Sequence, residues 1–167
     1  MDVRRETHGH AHPPGEHNVK VDIIEFRSIR GSGRDSTAAP TIHPVINDVP
    51  LRELAREVEH PAALADGQPD LAGSYDGLFA DDDVRWPSRH YLGEPALSWF
   101  EDGDTVLLGC DCGEWGCWPL TAKVEIVGGV VRWSGFRQGH RDWDLAALGP
   151  FEFDLGQYEE ALRRTAG

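Results

Sequence analysis

The chain has 167 residues, 40% hydrophobic and 27% charged, and a formal net charge of −13 from 29 acidic against 16 basic residues. A chain of this size buries an ordinary core as one domain without covalent staples. The acidic surface repels phosphate backbones, which disfavours nucleic-acid binding, and no apolar run has the ~20 residues a bilayer span requires. The expectation is a protein with neither a nucleic-acid nor a membrane partner, whose acidity suits a basic protein partner or keeps the chain in solution.

The opening Met1-Asp2-Val3-Arg4-Arg5-Glu6 lacks the apolar core of a signal peptide, so a cytoplasmic location is expected. Residues 1–18 carry His8, His10, His12 and His17 among Gly, Pro and Glu without apolar periodicity. They read as a flexible His-rich tail before a single domain over 19–167, and the His-x-His-x-His spacing suits incidental capture of nickel, copper or zinc.

Val19 to Ile29 alternates as a strand, with Val21, Ile23 and Phe26 as the candidate inward positions. Gly31 to Ser36 is a loop; it lacks the lysine of a phosphate loop. Thr41 to Ile46 reads as a second strand closed by a tight turn at Asn47-Asp48. Pro50 suits a first helical position, and Leu51, Leu54, Ala55 and Val58 form one apolar stripe on a short helix that should end before His60-Pro61.

Residues 61–104 are rich in Pro, Gly and Asp, with aromatic islands at Gly73–Leu78 and Trp86–Gly93. Tyr75 and Trp86 are candidate binding residues there, because long loops with aromatic content tend to be functional. The Asp81-Asp82-Asp83 triplet lacks the spacing of a calcium loop and reads as a solvated turn.

Val127-Gly128-Gly129-Val130 is a two-residue hairpin turn. Counting outward pairs Ile126 with Val131, Glu125 with Arg132, and Val124 with Trp133, so apolar pairs share one face and an opposite-charge pair the other. Trp133 is therefore assigned to the core. Phe136 to Asp144 then interleaves Arg137, His140 and Arg141 with aromatics, which marks Arg137 and Arg141 as candidate binding residues. Asp154 is the predicted N-cap of a closing helix, with Gln157 completing a capping box and Phe153 and Tyr158 as its staple. The element order predicts an α+β fold, a mostly antiparallel sheet with a short central helix and a C-terminal helix packed on one face.

All three cysteines fall in Leu107-Leu108-Gly109-Cys110-Asp111-Cys112-Gly113-Glu114-Trp115-Gly116-Cys117-Trp118-Pro119-Leu120, a loop between two strands. Cys110 and Cys112 share a side in extended backbone, and Gly113 and Gly116 permit a turn that returns Cys117 to them. Three thiolates with one imidazole form a common structural zinc set. His140 is the leading fourth ligand, His90 the alternative, and Asp111 or Glu114 further carboxylate candidates. Zinc is thus the one cofactor the spacing suggests. The same cysteines equally suit burial as small apolar residues under a tryptophan cluster, or a Cys110–Cys117 redox disulfide. A thiol enzyme would use Cys112 or Cys110 as nucleophile with His140 as base, oriented by Asp142 or Asp144. Trp115 at the loop tip is a candidate pocket or interface residue.

In this stretch the chain resembles a family of uncharacterised bacterial proteins, frequent in actinobacteria, with a Cys-x-Cys-Gly-Glu-x-Gly-Cys-Trp-Pro-Leu core. Similar motifs stand at Leu71-Ala72-Gly73-Ser74-Tyr75, at Trp133 to Arg141 and at Leu148-Gly149-Pro150-Phe151-Glu152-Phe153. The resemblance covers roughly residues 20–165 and implies no activity; Gly139 stands where the pattern leads one to expect proline. The functional expectations are a Cys-cluster binding module, zinc-stabilised in one form, with loops 73–93 and 133–143 as its recognition surface for a small molecule or protein. The alternatives are an acidic immunity- or antitoxin-like protein that neutralises a basic partner, and a small thiol enzyme.

Overall fold

The computed structural model describes residues 21–30 and 39–166. The predicted tail 1–18, the start of the first strand and the loop 31–36 lie outside them. The fold is α+β, with two antiparallel sheets and two helices.

The first sheet contains β1 (Ile24–Ile29), β2 (Thr41–Ile46), β3 (Val49–Pro50) and, later in the chain, a two-residue strand over Leu78–Phe79 that pairs with β2. Asn47 and Asp48 both adopt positive φ in the tight turn between β2 and β3, a conformation that short polar side chains tolerate. β1 buries Phe26 as expected but differs from expectation at Val21 and Ile23. Ile24 and Phe26 point inward, whereas Val21 and Ile23 are exposed, Ile23 at 54%. Pairing of Ile24 with Ile46 and Phe26 with Pro44 sets this register, and a one-residue slip exchanges the faces of a strand.

Helix α1 runs from Leu51 to Ala65 and so passes through Pro61, where a stop was expected. Proline removes one backbone bond, but the helix face continues to be buried beyond it. The row is Leu51, Ala55, Glu59 and Ala63, at successive four-residue spacings, with an acid in its middle. Pro50 serves as the N-cap residue rather than the first helical one.

The second sheet takes the order β4 (Tyr75–Asp76), β6 (Thr105–Cys110), β7 (Leu120–Val127), β8 (Val130–Gln138), β9 (Phe151–Asp154), with β5 being the Leu78–Phe79 strand already placed in the first sheet. The β7–β8 hairpin has the register read from its turn: Val124 opposite Trp133, Glu125 opposite Arg132 and Ile126 opposite Val131. Gly128 and Gly129 both take positive φ, as a turn of this hand requires. A parallel bridge from Asp22 to Phe153 joins the two sheets.

Helix α2 (Leu155–Arg163) closes the fold against β1, β8 and β9. The Asp154 side chain accepts from the Gln157 N–H at 3.0 Å, as an N-cap should. The other half of the capping box does not form. The Gln157 side chain instead spans to β1, accepting from Ile24 N and donating to Ile24 O at 2.7 Å. The core gathers around Trp133, whose indole N–H donates to Tyr158 Oη at 3.1 Å. Tyr158 in turn donates to Tyr91 O, and Phe26 and Phe153 pack edge-on against these rings.

Candidate functional site

β6 delivers Cys110 at its end, opposite Tyr75 of β4, and the chain then turns through 111–114 into a short 3-10 turn at Trp115–Cys117 before β7 begins. Gly109 is required here. A Cβ at that position would lie 2.7 Å from the backbone of Trp115, so only glycine lets the turn fold back onto β6. Trp115 is half-buried and packs edge-on against Trp99 at 6.3 Å between ring centroids.

All three cysteines are free thiols, with Cys110 half-buried and Cys112 and Cys117 exposed. Cys112 N–H donates to Cys110 Sγ at 3.4 Å, and Cys112 Sγ–H lies 3.9 Å from Glu114 O. The bond from Cys110, and next the Glu114 backbone, hold Cys112 below the usual thiol range, while burial pushes Cys110 up to about 11. Cys117 is raised, chiefly by its bond to Cys112.

His140 approaches the loop but does not join the thiols. Its Nε2–H donates to Gly116 O at 2.9 Å, and its ring lies between Trp99 and Trp118, parallel to Trp118. His90 is buried, with both ring nitrogens committed: Nε2–H donates to Val106 O at 2.8 Å and Nδ1 accepts from Ala96 N–H at 3.1 Å. Burial lowers it to about 4, which keeps the ring neutral and structural. Among the described residues no three His, Cys, Asp or Glu side chains are grouped to hold a metal ion, and no imidazole hydrogen-bonds a cysteine. Asp142 is exposed and makes no hydrogen bond to His140.

The other candidates divide. Arg137 lies over Phe100, 3.8 Å from the ring centroid, and its Nη2 donates to both carboxylate oxygens of Asp102 at 2.9 Å. Arg141 lies over Trp118 and donates to His140 O. Both belong to the surface on the His140 side of Trp99. Trp86 is half-buried, with Arg163 over its ring and its backbone N–H donating to Thr165 Oγ1. Tyr75 is not a surface binding residue. It is buried and donates its hydroxyl to Glu59, whose carboxylate also accepts from Gly73 N–H at 2.9 Å. Burial raises Glu59 to about 7 despite these two hydrogen bonds. Gly73, at φ +69° with Arg56 against it, has no room for a side chain, so this motif fixes the loop to α1.

Between the cysteine loop and the first sheet lies a cleft of about 380 Å³. Leu78, Val84, Leu97 and Trp115 supply its apolar lining, and Asp76, Asp81, Asp83 and Asp111 its carboxylates; Cys110, Cys112 and Gly113 form one wall. At its edge His43 Nε2 meets Thr41 Oγ1 at 2.9 Å and Asp76 Oδ1 at 3.1 Å. Burial lowers the His43 pKa against the opposing pull of Asp76. Sequence reading missed Glu59, His43 and Asp76. The one available signal was Glu59, which falls on the +4 row of an apolar helix face.

Gly139, at the position where proline was expected, is also forced. A Cβ there would come within 2.5 Å of Pro119 Cγ, and its carbonyl accepts from Trp99 Nε1 at 3.1 Å. No protein-family model, curated protein or solved structure matches the chain. Among the described residues no helix is long and apolar enough to cross a membrane.

Proposed function

We propose that the chain is a binding module whose site is the cleft beside the cysteine loop and whose ligand is a cation with an apolar stem, such as a basic side chain of a partner or a small organic cation. One observation carries this reading: the cleft combines four aspartates with an apolar floor, and among the described residues no lysine or arginine lines it. A guanidinium or ammonium placed there meets carboxylates while its stem covers Leu78, Val84 and Leu97. The net charge of −13 steers such a ligand toward the surface and adds an on-rate that salt suppresses. Catalysis by a cysteine is less well supported, because among the described residues no imidazole hydrogen-bonds a thiol.

Titration of the full chain with an arginine-bearing peptide, followed by amide chemical shifts, tests the reading. Shifts should concentrate at 76–84, 97 and 109–115, and the paired change Asp81→Asn with Asp83→Asn should weaken binding about tenfold, the cost of losing close charge contacts. Equal binding of a neutral peptide of the same shape, or shifts confined to the Arg137–Arg141 surface, would reject it.

A further inference from the structure

We propose that a second cleft, between helix α1 and the loop 69–75, is a binding site for a monocarboxylate, with Arg52 gripping the anion and Arg56 and His60 flanking it. The proposal does not depend on what occupies the cleft beside the cysteine loop.

The site begins as a stripe on α1. Arg52, Arg56 and His60 stand at four-residue intervals, each one position on from the buried row Leu51, Ala55 and Glu59. They therefore share the edge of the helix beside its buried face. Gly73 brings the loop against that edge: a Cβ there would lie 2.6 Å from Arg56 Cβ and 3.2 Å from Arg52 O, so only glycine allows the approach. The result is a cleft of about 460 Å³, lined by the three basic side chains from the helix and by Pro69 and Ser74 from the loop.

Arg52 is the deciding residue. Its Nε–H is shut off from solvent and, among the described residues, meets no hydrogen-bond acceptor. In so acidic a chain other arginines find carboxylates readily: Arg56 has Glu53, Arg85 has Asp82 and Arg132 has Glu152. A buried donor without an acceptor costs free energy that an incoming oxygen recovers. A guanidinium offers its Nε–H and one Nη–H as a parallel fork, which the two oxygens of a carboxylate fit. Arg56 meets Glu53 through Nη1 alone, which leaves further N–H groups beside the same cleft. Glu59 does not compete for Arg52, because its carboxylate already accepts from Tyr75 and from Gly73 N–H. Asp70 and Asp111 also line the cleft, but both are exposed, so water and salt screen their repulsion. They set the charge of the ligand. One carboxylate is balanced by Arg52, whereas a phosphate dianion would bring a second charge toward two aspartates.

The test titrates the full chain at fixed ionic strength with N-acetylglycine, and separately with its uncharged amide, N-acetylglycinamide, following amide chemical shifts. The acid should produce saturable shifts at 52–60 and 70–75 and the amide none. Arg52→Gln should weaken binding of the acid about tenfold, the effect of losing hydrogen bonds to a charged group. Acetate serves as a third probe: equal affinity assigns the site to a free acid, and tighter binding of N-acetylglycine assigns it to a peptide end, both in support of a carboxylate site. The comparison of acid with amide uses the unaltered chain, so a folding defect in the variant leaves it decisive. Equal shifts with the amide, shifts confined to 76–84, tighter binding of inorganic phosphate than of N-acetylglycine, or a folded Arg52→Gln protein that binds as before would each overturn the proposal.

Discussion

Two ends of the second sheet treat their side chains in opposite ways. Where β8 and β9 meet α2, Trp133, Phe153 and Tyr158 are fully buried and joined by a hydrogen bond as well as by ring packing. Where β6 ends, two thiols, four aspartates and a half-buried tryptophan face a cleft. The first end is made of β8, β9 and α2, which follow one another in the chain, with Phe26 and the Tyr91 carbonyl brought in from earlier segments. The second is assembled from four distant segments around 41, 76–84, 97 and 109–115. Stability is concentrated at one end and chemistry at the other, so substitutions at the two ends should be felt in different measurements.

The largest effect belongs to the packed end. Trp133→Ala should cost about 3–5 kcal/mol in urea unfolding, the range for deleting a buried aromatic and leaving a cavity. A cost comparable to a surface substitution would show that this end is not the stabilising one.

Glu59 sharpens the comparison, because it joins α1 to the loop behind the cleft. Its carboxyl is raised to about 7 in the folded protein, so folding takes up a proton between the ordinary carboxylate range and that value. Its contribution therefore weakens as pH rises through this window, by on the order of 3 kcal/mol at most. His90, lowered to about 4, acts in the opposite sense: the unfolded ring binds a proton that the folded ring refuses, and stability is lost as pH falls below 6.5. The two slopes oppose one another where their windows overlap. Glu59→Gln keeps a carbonyl acceptor for Gly73 N–H and turns an amide N–H toward the Tyr75 hydroxyl oxygen, while removing the first slope. Its stability should rise with pH up to neutrality and exceed that of the parent above it, as measured by urea midpoints across the range. An unchanged pH profile would contradict the assignment.

The smallest effect is expected at the exposed thiol. Cys112→Ser should leave the thermal midpoint where it was, since its side chain contributes no buried surface. A marked drop would point instead to a ligand or metal coupled to folding through that sulfur.

What could be read in the chain follows from this division. The hairpin register needed only Gly128-Gly129 and the alternation on either side, and the Asp154 cap needed only the residues next to it. The strand at Thr41–Ile46 and the α+β class were legible for the same reason. β1 was placed but turned to the wrong face at Val21 and Ile23, because both are as apolar as Ile24, and only pairing with β2 distinguishes them. Tyr75 looked like an aromatic on a loop until the Glu59 carboxyl, on a different element, explained its burial.

The cysteine loop shows the same limit. Spacing placed Cys110 and Cys112 on one turn, and the structure bonds Cys112 N–H to Cys110 Sγ, but the bond from His140 to Gly116 O has no counterpart in the spacing. By itself the sequence determined the β7–β8 hairpin, the Asp154 cap and the Asn47-Asp48 turn, since each depends on φ/ψ preferences and on side chains a few residues apart. Only the tertiary structure decided which imidazoles were free, which carboxylates share the cleft and which face of β1 is buried. Those outcomes depend on contacts between distant segments, whose alternatives differ in hydration and packing rather than in any local pattern.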